Sequence, residues 1–255
     1  MADRLEVATL LEQDVLLHLS LLKMIESYEP CLDIRLVQED GDWGVLLLLP
    51  TEVVPYDRSA YPSSRVIVFI AYSSDRMFER LAGQLPVQEP AVYKLQSKSY
   101  AAAIRRIRPL LKMRSFTSYT VKPGAKFEAD SRVAVEHSFQ ERLMPLWASN
   151  GYGADEVQRY FRNGAYSCSV YVNGEPVSTC LVFPNYKHVW EIGAVRTLEQ
   201  WRGAGFAKAA VSTALHLVLA AGYTPRYLTL DTNEPSVQLA QAIGLVPFMT
   251  MDHYQ

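Results

Sequence analysis

Residues 195–208 read Val195-Arg196-Thr197-Leu198-Glu199-Gln200-Trp201-Arg202-Gly203-Ala204-Gly205-Phe206-Ala207-Lys208. A strand-like run, Val189 to Val195, enters this stretch, and a run of helical period, Ala204 to Ala221, leaves it. The segment therefore joins a strand to a helix through a short loop with two glycines one residue apart. Amides at a helix N-terminus donate toward an anion at the positive end of the helix dipole, and glycines let the backbone close on that anion without a Cβ. This predicts a pyrophosphate cradle, although the same glycines would also serve a bare tight turn. The spacing excludes two commoner phosphate loops. Lys208 stands where Gly-x-Gly-x-x-Gly requires its third glycine, and no Gly-Lys-Ser/Thr follows.

Outward from the loop, the turn formers divide the chain regularly. Tyr166 to Val172 and Val177 to Phe183 read as strands joined by Asn173-Gly174-Glu175, a hairpin signal because Asn-Gly tolerates positive φ. Downstream come a short strand, Tyr227 to Leu230, a helix from Pro235 to Ile243 ended by Gly244, and a last strand, Val246 to Tyr254. Val133 to Trp147 and Asp155 to Arg162 read as helices. The predicted order is α, α, β, β, β, α, β, α, β.

Gln200, Gly203 and Gly205 form Gln-x-x-Gly-x-Gly, and Asn233 to Leu245 is similar to Asn-x-x-Ala-x-x-Leu-Tyr-x-Lys-x-Gly-Phe. In the second pattern Leu239 and Gly244 agree, Ser236 replaces the Ala, Ala240 the Tyr and Leu245 the Phe. On these residues the chain resembles, over 130–255, the GCN5-related N-acetyltransferase (GNAT) superfamily. Glu191, twelve residues before Gly203 and ahead of Trp-Arg-Gly-x-Gly, is similar to the FR47-like and glycine N-acyltransferase branch. The resemblance implies an α/β (α+β) fold whose C-terminal domain has a mixed, splayed central sheet. It also implies acetyl-CoA, or another acyl-CoA, as co-substrate, with no metal.

Carried onto this chain, the resemblance assigns CoA contacts to Ala194, Val195, Thr197, Gln200, Trp201, Arg202, Gly203, Ala204, Gly205, Phe206, Ala207 and Lys208. Asn233 either donates to CoA or caps the helix after it. The Val195 N–H would polarise the thioester carbonyl, and the pantetheine arm would pair with the open strand edge. Amine acylation also needs a base. Glu191 is the first candidate and His188 the second. Strand alternation predicts Glu191, Gly193 and Val195 on one face, with Glu191 about 13 Å from Val195 and acting through water. Because Ala240 holds no proton to give, two functions stay open. One is an N-acyltransferase that acetylates a primary amine of a small molecule or amino acid by direct attack in a ternary complex. The other is a catalytically weak CoA-binding regulatory or interaction protein.

Turn formers near Lys122-Pro123-Gly124 suggest a boundary, giving an N-terminal α+β domain, 1–124, and a CoA-binding domain, 125–255. The first half predicts a helix within Leu10 to Ile25, strands at Leu32 to Val37, Val45 to Leu49, Val66 to Ala71 and Val92 to Leu95, and helices from Asp75 and from Tyr100 to Leu111. That order echoes the second half, but Ile70-Ala71-Tyr72-Ser73-Ser74-Asp75 stands at the join and holds no glycine. It is either a degenerate GNAT-like domain without a phosphate cradle or an unrelated α+β cap.

Of the 255 residues, 25 are Lys or Arg and 27 Asp or Glu, so no global field favours nucleic acid or an anionic membrane. Three cysteines, Cys31, Cys168 and Cys180, show no metal spacing and fit reduced thiols in the cytoplasm. No leader is expected at the N-terminus, and Val45 to Leu49 is too short to span a bilayer. The expected partner is a small amine, with a homodimer left open.

Overall fold

The computed structural model describes residues 3–255. Contacts divide the chain into two compact units, one of residues up to Phe116 together with Met249–Gln255, the other Thr117–Phe248. The boundary suggested by composition lies near 125; the contact boundaries lie at 116/117 and 248/249.

The first unit begins with helices α1 (Arg4–Leu11) and α2 (Val15–Ser27), then strands β1 (Asp33–Glu39) and β2 (Asp42–Pro50). It continues with α3 (Pro55–Ala60), β3 (Val66–Tyr72), α4 (Asp75–Ala82), β4 (Ala91–Leu95) and α5 (Lys98–Arg105). The helix expected to reach Leu111 stops at Arg105, and Pro109, which disfavours the helical conformation at Arg108 and lacks an N–H, bars its continuation. Strand β5 (Lys112–Thr120) leads into the second unit. There follow β6 (Val133–Glu136), α6 (Met144–Ala148), α7 (Ala154–Arg162), β7 (Tyr166–Val172), β8 (Glu175–Tyr186) and β9 (Val189–Thr197). The chain closes with α8 (Phe206–Ala220), β10 (Thr224–Leu230), α9 (Glu234–Ile243) and β11 (Val246–Tyr254).

Val133 to Trp147 is not a single helix. Val133 to Glu136 instead pair antiparallel with β7, Val135 opposite Cys168. Val-Ala-Val has the two-residue period of an edge strand, and Pro145 is tolerated only in a helix's first turn, so α6 starts at Met144.

In the first unit the strand order is β1-β2-β3-β4-β11, antiparallel except for β3 with β4. In the second it is β6-β7-β8-β9-β10-β5, with β9 and β10 parallel. Each unit thus repeats three antiparallel strands, a helix, a parallel strand and a helix. Helix α8 buries Ala210, Val211, Ala214, Leu215 and Val218 with Cys168, Cys180, Ile192 and Tyr227. The opposite sheet face packs Leu181, Phe183 and Ala194 against Leu143, Trp147 and Val157 from the α6–α7 segment.

Two irregularities in β9 position everything that follows. Leu181 opposes Gly193 and Thr179 opposes Arg196, so Cys180 alone faces both Ala194 and Val195, which is a β-bulge. Ala194 takes the extra residue's turn at φ 51°. Pairing with β10 then ends at Tyr227 opposite Ile192, although β9 continues to Thr197 and β10 to Leu230. The sheet splays there, as the resemblance implied.

Candidate acyl-transfer site

The loop after β9 turns on two glycines. Gly203 and Gly205 stand at φ 81° and 77°, and a Cβ at either would meet nothing within 4 Å. Glycine is therefore required by backbone conformation, not by crowding. Gly205 is the N-cap of α8 and offers no side-chain bond, whereas Asn233 caps α9 by accepting from the Ser236 amide at 3.4 Å. The leading amides of α8 thus receive no hydrogen bond from an N-cap side chain. Arg202 and Lys208 are exposed beside them, Gln200 is also exposed, and Trp201 packs on Phe206 with ring centroids 6.1 Å apart. The Thr197 hydroxyl pairs with Ser178 at 2.7 Å, and the Val195 carbonyl accepts from Asn150 at 3.2 Å.

Glu191 lies on the opposite face of β9 from α8 and is buried. Its Oε2 accepts from Arg226 Nη1 at 2.8 Å and from Asn185 Nδ2 at 2.9 Å. Arg226 is buried as well and spends its other donors on the Ser118 hydroxyl at 3.0 and 3.2 Å. The face assignment from strict alternation needs correction. Glu191 and Gly193 share a face, but the bulge turns Ala194 onto it too, while Val195 joins Ile192 on the α8 side. One inserted residue has shifted the two-residue period.

Tyr152, from the turn between α6 and α7, completes this face. A Cβ on Gly193 would sit 3.2 Å from its hydroxyl and 3.5 Å from Phe183. Burial, with Glu191 and Glu156 nearby, pushes the phenol well above its ordinary value, so it stays protonated. Tyr160 stacks on Phe183 at 4.2 Å between centroids and donates to Glu156 at 2.7 Å. His188 lies apart from this cluster, exposed in the turn between β8 and β9, where its carbonyl accepts from Thr224. Ala240 is fully buried in the α8 cluster.

Sequence reasoning missed Arg226, Asn185, Ser118 and Tyr152. Arg226 left one readable signal, a charge within the apolar run of a short strand, which demands a buried counter-charge. The others depend on where the chain returns.

The corresponding strand-to-helix join of the first unit is occupied by its own side chain. Asp42 accepts from Ser73 at 3.0 Å and from Ser74 at 2.7 Å, ahead of α4. Those hydrogen bonds hold its carboxyl below the ordinary range.

A ladder that splays at a bulge and leads through a glycine loop into a helix without a side-chain cap is the arrangement that the resemblance implied. Residues 132–245 match the family model described as the acetyltransferase (GNAT) family, so the chain carries a GNAT domain there. The fold is similar to a GCN5-related N-acetyltransferase from Sphaerobacter thermophilus, with TM-score 0.63, 13% identity and coverage of 92% of this chain and 84% of that one. It is also similar to one from Kribbella flavida, with TM-score 0.58, 14% identity and coverage of 94% and 93%. A tandem GNAT protein from the clavulanic acid biosynthesis pathway aligns with TM-score 0.54 at 10% identity, over 92% of this chain and 86% of that one. Among curated proteins none matches the chain in sequence. Among the described residues no group of three or more His, Cys, Asp or Glu is placed to hold a metal ion, and no helix is long and apolar enough to cross a membrane.

Proposed function

We propose that the protein is an N-acetyltransferase that moves an acetyl group from acetyl-CoA to a primary amine by direct attack in a ternary complex. The observation that carries the reading is the splay between β9 and β10, bounded by an uncapped helix N-terminus and by a buried carboxylate. The residues fit the co-substrate: open amides and two exposed cations suit a pyrophosphate, and an unpaired strand edge suits an amide-bearing arm. Gln200 to Lys208 would hold the pyrophosphate, Ala194, Val195 and Thr197 would border the arm, and Asn233 would serve chiefly as the α9 cap. The Val195 N–H would polarise the thioester carbonyl.

Glu191 would receive the amine's proton through water, its charge kept in place by Arg226 and Asn185. Tyr152, protonated and beside Gly193, would border the acceptor. The aromatic wall of Tyr152, Tyr160 and Phe183 supports a small acceptor with an apolar part. The first unit would bind no CoA, since Asp42 already offers a negative charge where a phosphate would have to sit.

A second reading is favoured by Ala240, buried where a proton donor stands in similar chains, and by the pinning of Glu191. In it the protein binds CoA and regulates or recruits without turnover. Thiol release from acetyl-CoA across a panel of amines and amino acids separates the two. Acceptor-dependent release supports the enzyme; tight acetyl-CoA binding with no release from any acceptor would leave only the second reading.

A further inference from the structure

Cys168 and Cys180 are directly opposed on the antiparallel strands β7 and β8, and both are fully buried. They share the apolar cluster that holds Ile192 and Tyr227. Opposed residues in antiparallel strands have Cα atoms about 4.5–5.5 Å apart, inside the roughly 4.4–6.8 Å that a disulfide spans. A bond between them therefore needs no change of register. The Cys168 thiol already hydrogen-bonds to Cys180, and this contact with burial keeps it protonated well above the ordinary thiol range.

The location gives the pair its consequence. Cys180 is the single residue facing Ala194 and Val195 across the bulge. Cβ atoms of opposed residues lie about 4.5–5.5 Å apart and those of a disulfide about 3.8 Å, so closure draws the strands together by about 1 Å at that point. Displacements of that size near a reacting centre cost on the order of a hundredfold in rate. On its other side Cys168 opposes Val135 of β6, a four-residue strand at the sheet edge, the kind of element whose local opening would admit a small oxidant.

We propose that Cys168 and Cys180 form a redox-active pair that closes to a cross-strand disulfide behind the bulge and slows acyl transfer. The oxidant is a low-molecular-weight disulfide. Once β6 opens and water reaches the pair, one thiol gives up its proton to solvent and the resulting thiolate attacks the oxidant, whose leaving thiolate takes up a proton to depart as one small thiol and leave a mixed disulfide. The second cysteine thiolate then attacks the protein-bound sulfur and releases the other small thiol. The protein loses two hydrogens, and the oxidant's S–S bond is reduced to two thiols. The effect on rate rests on the transferase reading; formation of the bond does not.

The test treats the full chain carrying Cys31→Ser with oxidised glutathione, followed by alkylation in denaturant and tryptic mass spectrometry. Residues 163–187 form one tryptic peptide that holds both cysteines. It should appear lighter by two hydrogens and unalkylated, and dithiothreitol should reverse this. Turnover should fall at least tenfold and recover on reduction, while the additional Cys180→Ser change should abolish both effects. Full alkylation of both cysteines after prolonged oxidation would overturn the proposal, as would a disulfide that leaves turnover unchanged. Should the reduced protein show no turnover with any amine, calorimetric acetyl-CoA affinity becomes the readout. An affinity identical in both redox states then overturns it, and a severalfold reversible change upholds it.

Discussion

Glu191 and Arg226 are opposed on the parallel strands β9 and β10 and meet at 2.8 Å with both side chains buried, at the last but one pair before the strands diverge. A buried pair of this kind holds position more than it adds stability, because desolvating both ions offsets most of their attraction. Breaking it is another matter.

Arg226→Met should leave the Glu191 carboxylate buried beside Asn185 alone and lower unfolding free energy by about 3–5 kcal/mol. Glu191→Gln keeps the shape and the Asn185 neighbour but strands the guanidinium, so it too destabilises. Combining the two removes both charges, and the double variant should recover much of the loss. Urea unfolding of the four proteins gives the coupling directly; additive losses would mean that the two side chains do not act as a pair. In the transfer assay Glu191→Gln should reduce kcat by about 10²–10⁴ and leave acetyl-CoA affinity within a factor of a few.

The glycine loop makes a cleaner separation of charge from strain. Gly203 has φ 81° with open space around it, so a side chain meets no neighbour. Asn accepts the left-handed region more readily than other residues, whereas Asp adds a negative charge to that same shape. Gly203→Asp should abolish acetyl-CoA binding by calorimetry, and Gly203→Asn should weaken it far less. Equal losses in the two variants would assign the effect to backbone strain instead of phosphate repulsion.

The strand-to-helix join at 195–208 and the order of the C-terminal elements were legible because helix and strand leave different periods in the sequence and Gly174, Gly222 and Gly244 punctuate them. Asn233 was legible as a cap for the same local reason. The bulge was not, since one extra residue changes no composition and is visible only in the register against β8. Nor was the partner of Glu191, which lies 35 residues away and is selected by the parallel alignment of two strands. Residues 133–136 were misread because a short edge strand leading into a proline-started helix mimics one amphipathic run. In the first unit the echo of the strand and helix order was readable, but the seating of Asp42 on Ser73 and Ser74 required the fold.

Gly193 tests the acceptor face. It carries no positive φ, so alanine there should by itself stabilise by about 0.4–1 kcal/mol through the unfolded chain. The contact at 3.2 Å with the Tyr152 hydroxyl works against this, and overpacking of that order costs roughly 1–3 kcal/mol. Gly193→Ala should therefore be net destabilising and should raise KM for the amine more than for acetyl-CoA. Adding Tyr152→Phe removes the crowding oxygen and should restore part of the stability. A Gly193→Ala protein more stable than the parent would show that Tyr152 swings away freely.

His253, in the first unit, supplies a dependence on pH. Its Nδ1 lies 2.6 Å from the Tyr61 hydroxyl, and burial, with Lys94 and Arg114 near, pushes its pKa down to about 2 from an ordinary 6.5. Between those two values the unfolded chain binds a proton that the folded chain refuses. Stability contributed by the neutral imidazole is therefore complete above about pH 6.5 and is lost as the pH falls toward 2. The limiting slope for one group is about 1.4 kcal/mol per pH unit. His253→Gln, which can still pair with Tyr61 but does not titrate, should be less stable at pH 7 yet lose less between pH 6.5 and 4.5. Urea midpoints measured across that range decide the matter: parallel curves for the two proteins would show that His253 is not the group that titrates.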